Sequence, residues 1–317
     1  MNSLTPVGRS YPACSKIDYW AAPDGWPLRR FAWPAKERER RGTMLFLTGR
    51  GDMFEKYLES FAHFHDLGWD IISFDWRGQG GSGRLSANPQ VGHCEDFNVW
   101  VDDLHAFYRQ WIDGEPGPHI VIGHSMGGHL LSRVLSARMI RPDAAVMIAP
   151  MLGLNSGILP ARLAGPVARL MSALGDPARA AWKNVERPGI GPSLRQALLT
   201  HSAERYSDEM YWQEHMPQLK LGPPSWQWLN AAYRSLAMLD SPGTLEKIET
   251  PLLILAAERD GLVDTQAIRR AANRIGGARL HVHGPEAAHE ILREADAVRS
   301  DALQRIDAFL DDVAPRQ

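Results

Sequence analysis

The stretch His119-Ile120-Val121-Ile122-Gly123-His124-Ser125-Met126-Gly127-Gly128 decides how this chain is read. Its first four residues form a short apolar run of the kind that makes a strand buried on both faces. The run ends in a G-x-S-x-G, and the apolar segment Met126 to Met139 that follows reads as a helix. Strand, tight turn and helix in that order push the serine hydroxyl out at the carboxyl edge of a sheet, where it can act as a nucleophile. A glycine-rich turn with a helix-capping serine would explain the pattern alone. The strand before it and the helix after it favour the nucleophile.

Outward from this stretch, further apolar runs of strand length are Met44–Thr48, Trp69–Asp75, Ala144–Ala149, Leu252–Ala256 and Arg279–Val282. Between them lie helical patterns: Phe54 to Leu67, stopped by Gly68; the stripe Phe97, Trp100, Leu104, Phe107 and Trp111; and the segments after Thr265 and Glu294. Such alternation predicts the α/β class, a mostly parallel central sheet with helices on both faces. Ile17 to Trp33, broken at Pro23-Asp24-Gly25, predicts a hairpin at the sheet edge. From Met151 to Gly243 no strand pattern is evident, and a loop of that length would be improbable. Residues 1–150 and 244–317 are therefore expected to form the core, and 151–243 a helical cap inserted in it.

Composition narrows the function. The 317 residues are 44% hydrophobic and 23% charged, with 35 Lys plus Arg against 37 Asp plus Glu, a net charge of −2. No basic excess points to nucleic acid, and the basic residues near the N-terminus alternate with acidic ones over Lys36–Arg41. Cys14 and Cys94 stand far apart and predict neither a zinc site nor a disulfide framework. Met1–Ser10 lacks the apolar run of a secretory signal, and no window of 18 apolar residues occurs. A cytoplasmic location is expected, peripheral contact with the inner membrane remaining open.

A serine nucleophile needs a base, and the base an orienting acid. In the order this architecture uses, the acid comes next and the histidine last, each beyond a strand end. His289 follows the last strand. Glu258, Asp260 and Asp264 follow Leu252–Ala256; Asp260 is favoured, because Asp264 precedes a helix and reads as its cap. An oxyanion hole needs two backbone amides. Met126 and, in Thr48-Gly49-Arg50-Gly51, Arg50 are the candidates; the Arg50 side chain could also meet a phosphate. Gly78-Gln79-Gly80-Gly81-Ser82-Gly83 fits G-x-G-x-x-G, but Arg84–Pro89 is loop chemistry, so no dinucleotide site is expected. His281 and His283 alternate on a strand without an evident third ligand, so no metal is expected.

Gly49-Arg50-Gly51, Phe74-Asp75-Trp76-Arg77-Gly78-Gln79-Gly80, Gly123–Gly128, Glu258-Arg259-Asp260 and His289-Glu290-Ile291-Leu292 together resemble the serine α/β-hydrolases of the monoacylglycerol lipase and bacterial lysophospholipase group. The resemblance runs from about Ile17 to Phe309. It implies an α/β-hydrolase fold with nucleophile Ser125, acid Asp260, base His289, and oxyanion amides at Arg50 and Met126. It implies hydrolysis of a carboxylic ester through an acyl-enzyme, with no cofactor. Relatives often carry His-Gly where this chain has Thr48-Gly49, and His where it has Trp76. In the cap, Ile158, Leu159, Leu163, Leu170, Met171 and Trp182 are expected to line an acyl groove, and His201 and Arg205 to meet a phosphate. The expected substrate is a single-chain lipid, lysophospholipid or monoacylglycerol, taken in transient contact with a membrane surface; oligomeric state is not legible. Two rivals stand beside this: an aminopeptidase holding a free amine through Glu204, Asp208 or Glu209, and a non-catalytic binding protein of the same fold.

Overall fold

Apolar runs become strands here because both sheet faces are covered. The computed structural model describes residues 7–157, 160–183 and 192–315. Its strands are β1 (Lys16–Ala21), β2 (Pro27–Trp33), β3 (Gly42–Leu47), β4 (Trp69–Phe74), β5 (His119–His124), β6 (Ala144–Ile148), β7 (Leu252–Ala257) and β8 (Arg279–His283). Its helices are α1 (Leu58–Asp66), α2 (Asn98–Gly114), α3 (Met126–Ser136), α4 (Ala161–Ala173), α5 (Pro192–Leu199), α6 (Ala203–His215), α7 (Trp226–Asp240), α8 (Thr265–Arg274) and α9 (Asp296–Val313). Every residue of β3, β4, β6 and β7 is buried.

One sheet holds all eight strands in the order β1-β2-β4-β3-β5-β6-β7-β8. β3 through β8 pair in parallel, while β1–β2 and β2–β4 are antiparallel. The expected edge hairpin is thus β1–β2. From β3 the chain steps to β4 on one side and to β5 on the other, so the sheet switches direction there. Ligands of open α/β sheets bind at such a switch point, beyond the strand carboxyl ends. The Arg50 loop leaves β3 and Ser125 leaves β5, one on each side of that crevice.

The insertion between β6 and β7 holds α4 to α7 and, among the described residues, no strand of the main sheet. Two of its helices have different partners. Trp228, Ala231, Ala232 and Leu239 of α7 sit in the same apolar core as the sheet. The buried His129 of α3 bridges Met151 O at 3.0 Å and Ser235 Oγ of α7 at 2.7 Å. α7 therefore serves as the crossover helix that parallel β6 and β7 require. α4 packs along α7 on the far side.

Candidate active site

The turn after β5 is tight because two elements converge on it. A Cβ on Gly127 would lie 2.4 Å from Leu47 O at the end of β3, so only glycine lets α3 start there. Ser125 takes φ 51° and ψ −114°, a conformation rare for a residue with a side chain. Its amide donates to Ile148 O of β6 at 2.9 Å, which locks the turn to the neighbouring strand.

From this serine a chain of hydrogen bonds runs across three loops. Ser125 Oγ lies 2.9 Å from His289 Nε2, and His289 Nδ1 lies 2.7 Å from Asp260 Oδ2. The other Asp260 oxygen accepts the amides of Leu262 at 2.8 Å and Val263 at 3.0 Å. Burial would raise the Asp260 carboxyl, but the His289 ring and these donors hold it below its ordinary value. Asp260 is then an ionised acceptor, so Nδ1 of His289 carries the proton and Nε2 is free to accept one from the serine. Burial pushes the His289 imidazole down, yet the Asp260 charge and hydrogen bond outweigh it and leave it raised. Such an arrangement can deprotonate the serine as it attacks a carbonyl and then protonate a leaving group. Asp264, in contrast, accepts from Gln266 N at 2.9 Å and caps α8.

The Gly49–Gly51 loop is pressed against the serine. A Cβ on Gly49 would stand 3.3 Å from Ser125 Cβ. Gly49 N–H donates to Asp52 Oδ2 at 2.9 Å and Gly51 N–H to Gln79 Oε1 at 2.5 Å, fixing the loop on both sides of Arg50. Met126 is the first residue of α3, whose initial amides lack partners within the helix. The Arg50 guanidinium donates to Gly222 O and lies over the Trp228 ring, and the residue lines the cavity above the serine. The two departures at Thr48 and Trp76 form one unit, since Trp76 Nε1 donates to Thr48 O at 2.8 Å.

Behind the loop lies a buried ionic cluster that sequence reading missed. Lys56 Nζ reaches Asp52 and Glu290 at 2.5 Å each and Glu209 of α6 at 3.2 Å. Arg293 pairs with Glu290 and Glu209, and Arg195 of α5 with Glu209 at 2.6 Å. Burial alone would raise these carboxyls; Lys56 and the arginines hold Asp52, Glu209 and Glu290 below their usual range. Asp52 also accepts from Tyr57 Oη at 2.7 Å and faces His124 Nδ1 at 3.3 Å, while His124 Nε2 stands 3.4 Å from His289 O. One carboxylate thus touches the Gly49 amide, the residue before the serine and, through Lys56, the residue after the histidine. The available signal was Glu290 beside His289.

A cavity of about 440 Å³ opens over Ser125 and His289. Its apolar wall is Leu154, Ala164, Val167, Ala168, Leu229 and Val263; Asp52, Lys56, Arg195 and Glu290 lie on the polar side. Trp182 lines it as expected. Three other expectations are corrected. Leu163 and Leu170 point outward, 45% and 58% exposed, because α4 turns its small residues inward, and Met171 is not in the lining. His201 is absent from the lining and pairs with Glu294 at 3.0 Å. Arg205 is likewise absent and is held by Glu59 and Asp296 at 2.7 Å each. Ile158 and Leu159 lie outside the described residues. The glycine-rich Gly78–Gly83 is a turn wrapped on Asp75, whose Oδ2 accepts Gly81 N–H at 2.7 Å, and no helix opens before α2. A carboxylate does stand beside His281 and His283: that of Asp301 of α9.

The family model described as Hydrolase_4, serine aminopeptidase S33, matches residues 38–296. The chain belongs to this family. Lysophospholipase L2 of Escherichia coli K12 is 33% identical over 303 residues, covering 90% of this chain and 84% of that protein. Probable lysophospholipase L2 of Haemophilus influenzae is 29% identical over 282 residues, covering 85% and 84%. A soluble variant of monoglyceride lipase from Saccharomyces cerevisiae, solved with a substrate analog, superposes with a TM-score of 0.75 at 17% identity, covering 96% and 97% of the two chains. That likeness extends the fold across the insertion as well as the sheet. The S33 chain described here is a serine hydrolase with the α/β-hydrolase fold, as its sequence motifs implied.

Proposed function

We propose that this enzyme cleaves the ester bond of single-chain lipids, a lysophospholipid or a monoacylglycerol. Ser125 attacks the acyl carbonyl, His289 passes the serine proton to the leaving alcohol and then takes one from the water that hydrolyses the acyl-enzyme, returning it to Ser125; Asp260 holds the ring, and the amides of Arg50 and Met126 receive the oxyanion. The observation that carries the reading is the cavity over Ser125, with an apolar wall that suits an acyl chain. Each buried methylene contributes about 0.8 kcal/mol, so a few carbons supply much of the affinity. The names of the curated relatives, lysophospholipase and monoacylglycerol lipase, support the same substrate class.

A peptide amine would need an unmatched carboxylate near the serine. Asp52 and Glu290, the acidic lining residues, are both paired with Lys56. Of the suggested cap carboxylates, Glu209 meets three cations, Asp208 pairs with Arg9 at 2.6 Å, and Glu204 is exposed. Ester chemistry therefore fits this site better than aminopeptidase chemistry.

Residues 151–225, with α4 to α6, act as the cap in this reading. α4 contains no acidic residue; it turns Ala164, Val167 and Ala168 to the cavity and Leu163 and Leu170, with Arg162 and Arg169, to solvent. An apolar and basic outer face suits an anionic lipid surface, and no described helix is long and apolar enough to cross a membrane. The test is a chain-length series of aryl esters with lysolipids and aminoacyl anilides alongside. kcat/KM should rise from acetyl to octanoyl, lysolipids should be cleaved, and two-chain phospholipids and anilides should be poor. A flat series with anilide turnover would transfer the assignment to peptides.

A further inference from the structure

β8 is the edge strand of the sheet, and alternate residues of a strand share a face. His281 and His283 meet a carboxylate there: Asp301 Oδ2 of α9 stands 3.6 Å from His281 Nε2 and 3.6 Å from His283 Nδ1. One ligand atom from each of the three residues lies within 4.8 Å of the other two. Arg305 Nε also donates to this Oδ2, at 2.7 Å, from the next turn of α9.

These distances are too long for hydrogen bonds and close to those of a metal site. A 3.6 Å separation lies beyond ordinary N–H···O reach. His283 is 4% exposed, so its Nδ1 faces the Asp301 carboxylate largely out of water. Tetrahedral Zn²⁺ binds imidazole nitrogen and carboxylate oxygen at about 2.0–2.2 Å, which places neighbouring ligand atoms roughly 3.3 Å apart. Both histidine–carboxylate edges need to close by only a few tenths of an ångström, and rotation of the half-buried His281 ring shortens the third. Arg305 would orient the carboxylate from outside, as partners of metal-bound carboxylates do.

We propose that His281, His283 and Asp301 form a divalent transition-metal site suited to Zn²⁺, with water in the fourth position, that clamps edge strand β8 to α9. None of the three lines the catalytic cavity. The clamp would still bear on it from behind: His283 O accepts Glu258 N–H at 2.8 Å, two residues before Asp260, and β8 leads into the His289 loop.

The test titrates metal-free full-length protein with ZnCl₂ by calorimetry and thermal unfolding, with CoCl₂ as a visible-absorption reporter of coordination. The expected result is one Zn²⁺ per chain at micromolar Kd, a Tm that rises with Zn²⁺, and a tetrahedral cobalt spectrum. His281→Ala and Asp301→Asn should each weaken binding at least tenfold and abolish the cobalt spectrum. His281 is partly exposed, so its variant should fold and keep metal-free ester turnover. Wild-type protein that binds no Zn²⁺ up to millimolar concentration would overturn the proposal. So would Zn²⁺ or Co²⁺ binding that both variants leave unchanged, which would place the ion elsewhere.

Discussion

At the residue scale, Ser125 combines a reactive hydroxyl with a backbone that glycine would tolerate better. Ser125→Ala should lose about 10³-fold or more in kcat and all fluorophosphonate labelling, because the acyl-enzyme cannot form. Ser125→Gly should be equally inactive but more stable than Ser125→Ala, since positive φ costs a residue with a Cβ on the order of 1 kcal/mol or more. Equal melting temperatures for the two would remove strain from the account. The two aspartates separate in the same way. Asp260→Asn should lower kcat severely, up to about 10⁴-fold, by leaving His289 in the wrong tautomer. Asp264→Asn should cost little activity and about 1 kcal/mol of stability, as a weakened cap of α8. The pH profile gives an independent reading. His289 must be neutral to act as base, and its value is raised above the ordinary 6.5 by Asp260. kcat/KM should therefore fall as pH drops through a midpoint above 6.5. In Asp260→Asn burial dominates, so the residual activity should lose its acid limb at lower pH; an unmoved limb would detach Asp260 from His289.

At the element scale, the ionic cluster joins parts of the chain that share no strand. Lys56 follows β3, Glu209 belongs to α6, Arg195 to α5, and Glu290 and Arg293 to the segment after β8. Leu198 O and Leu199 O, at the end of α5, accept the amides of His289 and Glu290. The insertion and the His289 loop are thus held together. Lys56→Met should destabilise by roughly 3–5 kcal/mol in denaturant unfolding, because three buried carboxylates lose their shared cation. A loss below 1 kcal/mol would mean that water already screens the cluster. His129 sets a second dependence. Burial, then Arg133, lowers it from 6.5 to about 3, so it is neutral in the fold while the unfolded chain takes up a proton. Its share of stability is complete above pH 6.5 and declines as pH falls from there towards 3. A Tm that declines less over this range in His129→Gln than in wild type is the expected sign.

The same scale explains what could be read from sequence. All six strand expectations correspond to strands, because buried parallel strands are continuous apolar runs with glycine or polar ends. The serine, aspartate and histidine were legible because each follows such a run. The acyl wall was not: on α4, residues 163 and 164 differ by one position, about 100° of helix rotation, and the larger leucine drew the assignment while the alanine faces the cavity. The ionic cluster was hidden because its members lie far apart in sequence, and charged residues are ordinarily solvated. Asp301 escaped notice beside His281 and His283 for the same reason. α7 was grouped with the cap because it lies among irregular sequence, although its buried face belongs to the core.

At the scale of the whole molecule, the cavity and the outer face of α4 are two sides of one helix. A substrate drawn from a lipid surface would then travel only the thickness of the cap. Replacing both Leu163 and Leu170 by Ser should weaken binding to anionic vesicles roughly tenfold, about 1.4 kcal/mol, in a sedimentation assay. Turnover of a short soluble ester should be unchanged, because neither side chain enters the cavity. Equal vesicle binding by the variant would leave the membrane contact without support.

The chain departs from the sheet at Ile148, and by Trp226 it has come back to the same crevice: Met151 and Trp226 line one cavity, and α7 then makes the crossing to β7. Both ends of residues 151–225 thus border one cavity, while Met151, Trp212 and Leu219 pack into the core of the sheet. Exchange of this segment between family members would bring in the α4 part of the apolar wall and the outer face of α4 together, while Leu229 and Val263 of that wall stay with the receiving chain. The seam where a graft would have to be matched is Glu209, which Arg195 of the same segment and Lys56 and Arg293 of the frame all meet, so chimaeras that keep Glu209 should fold and those that lose it should not.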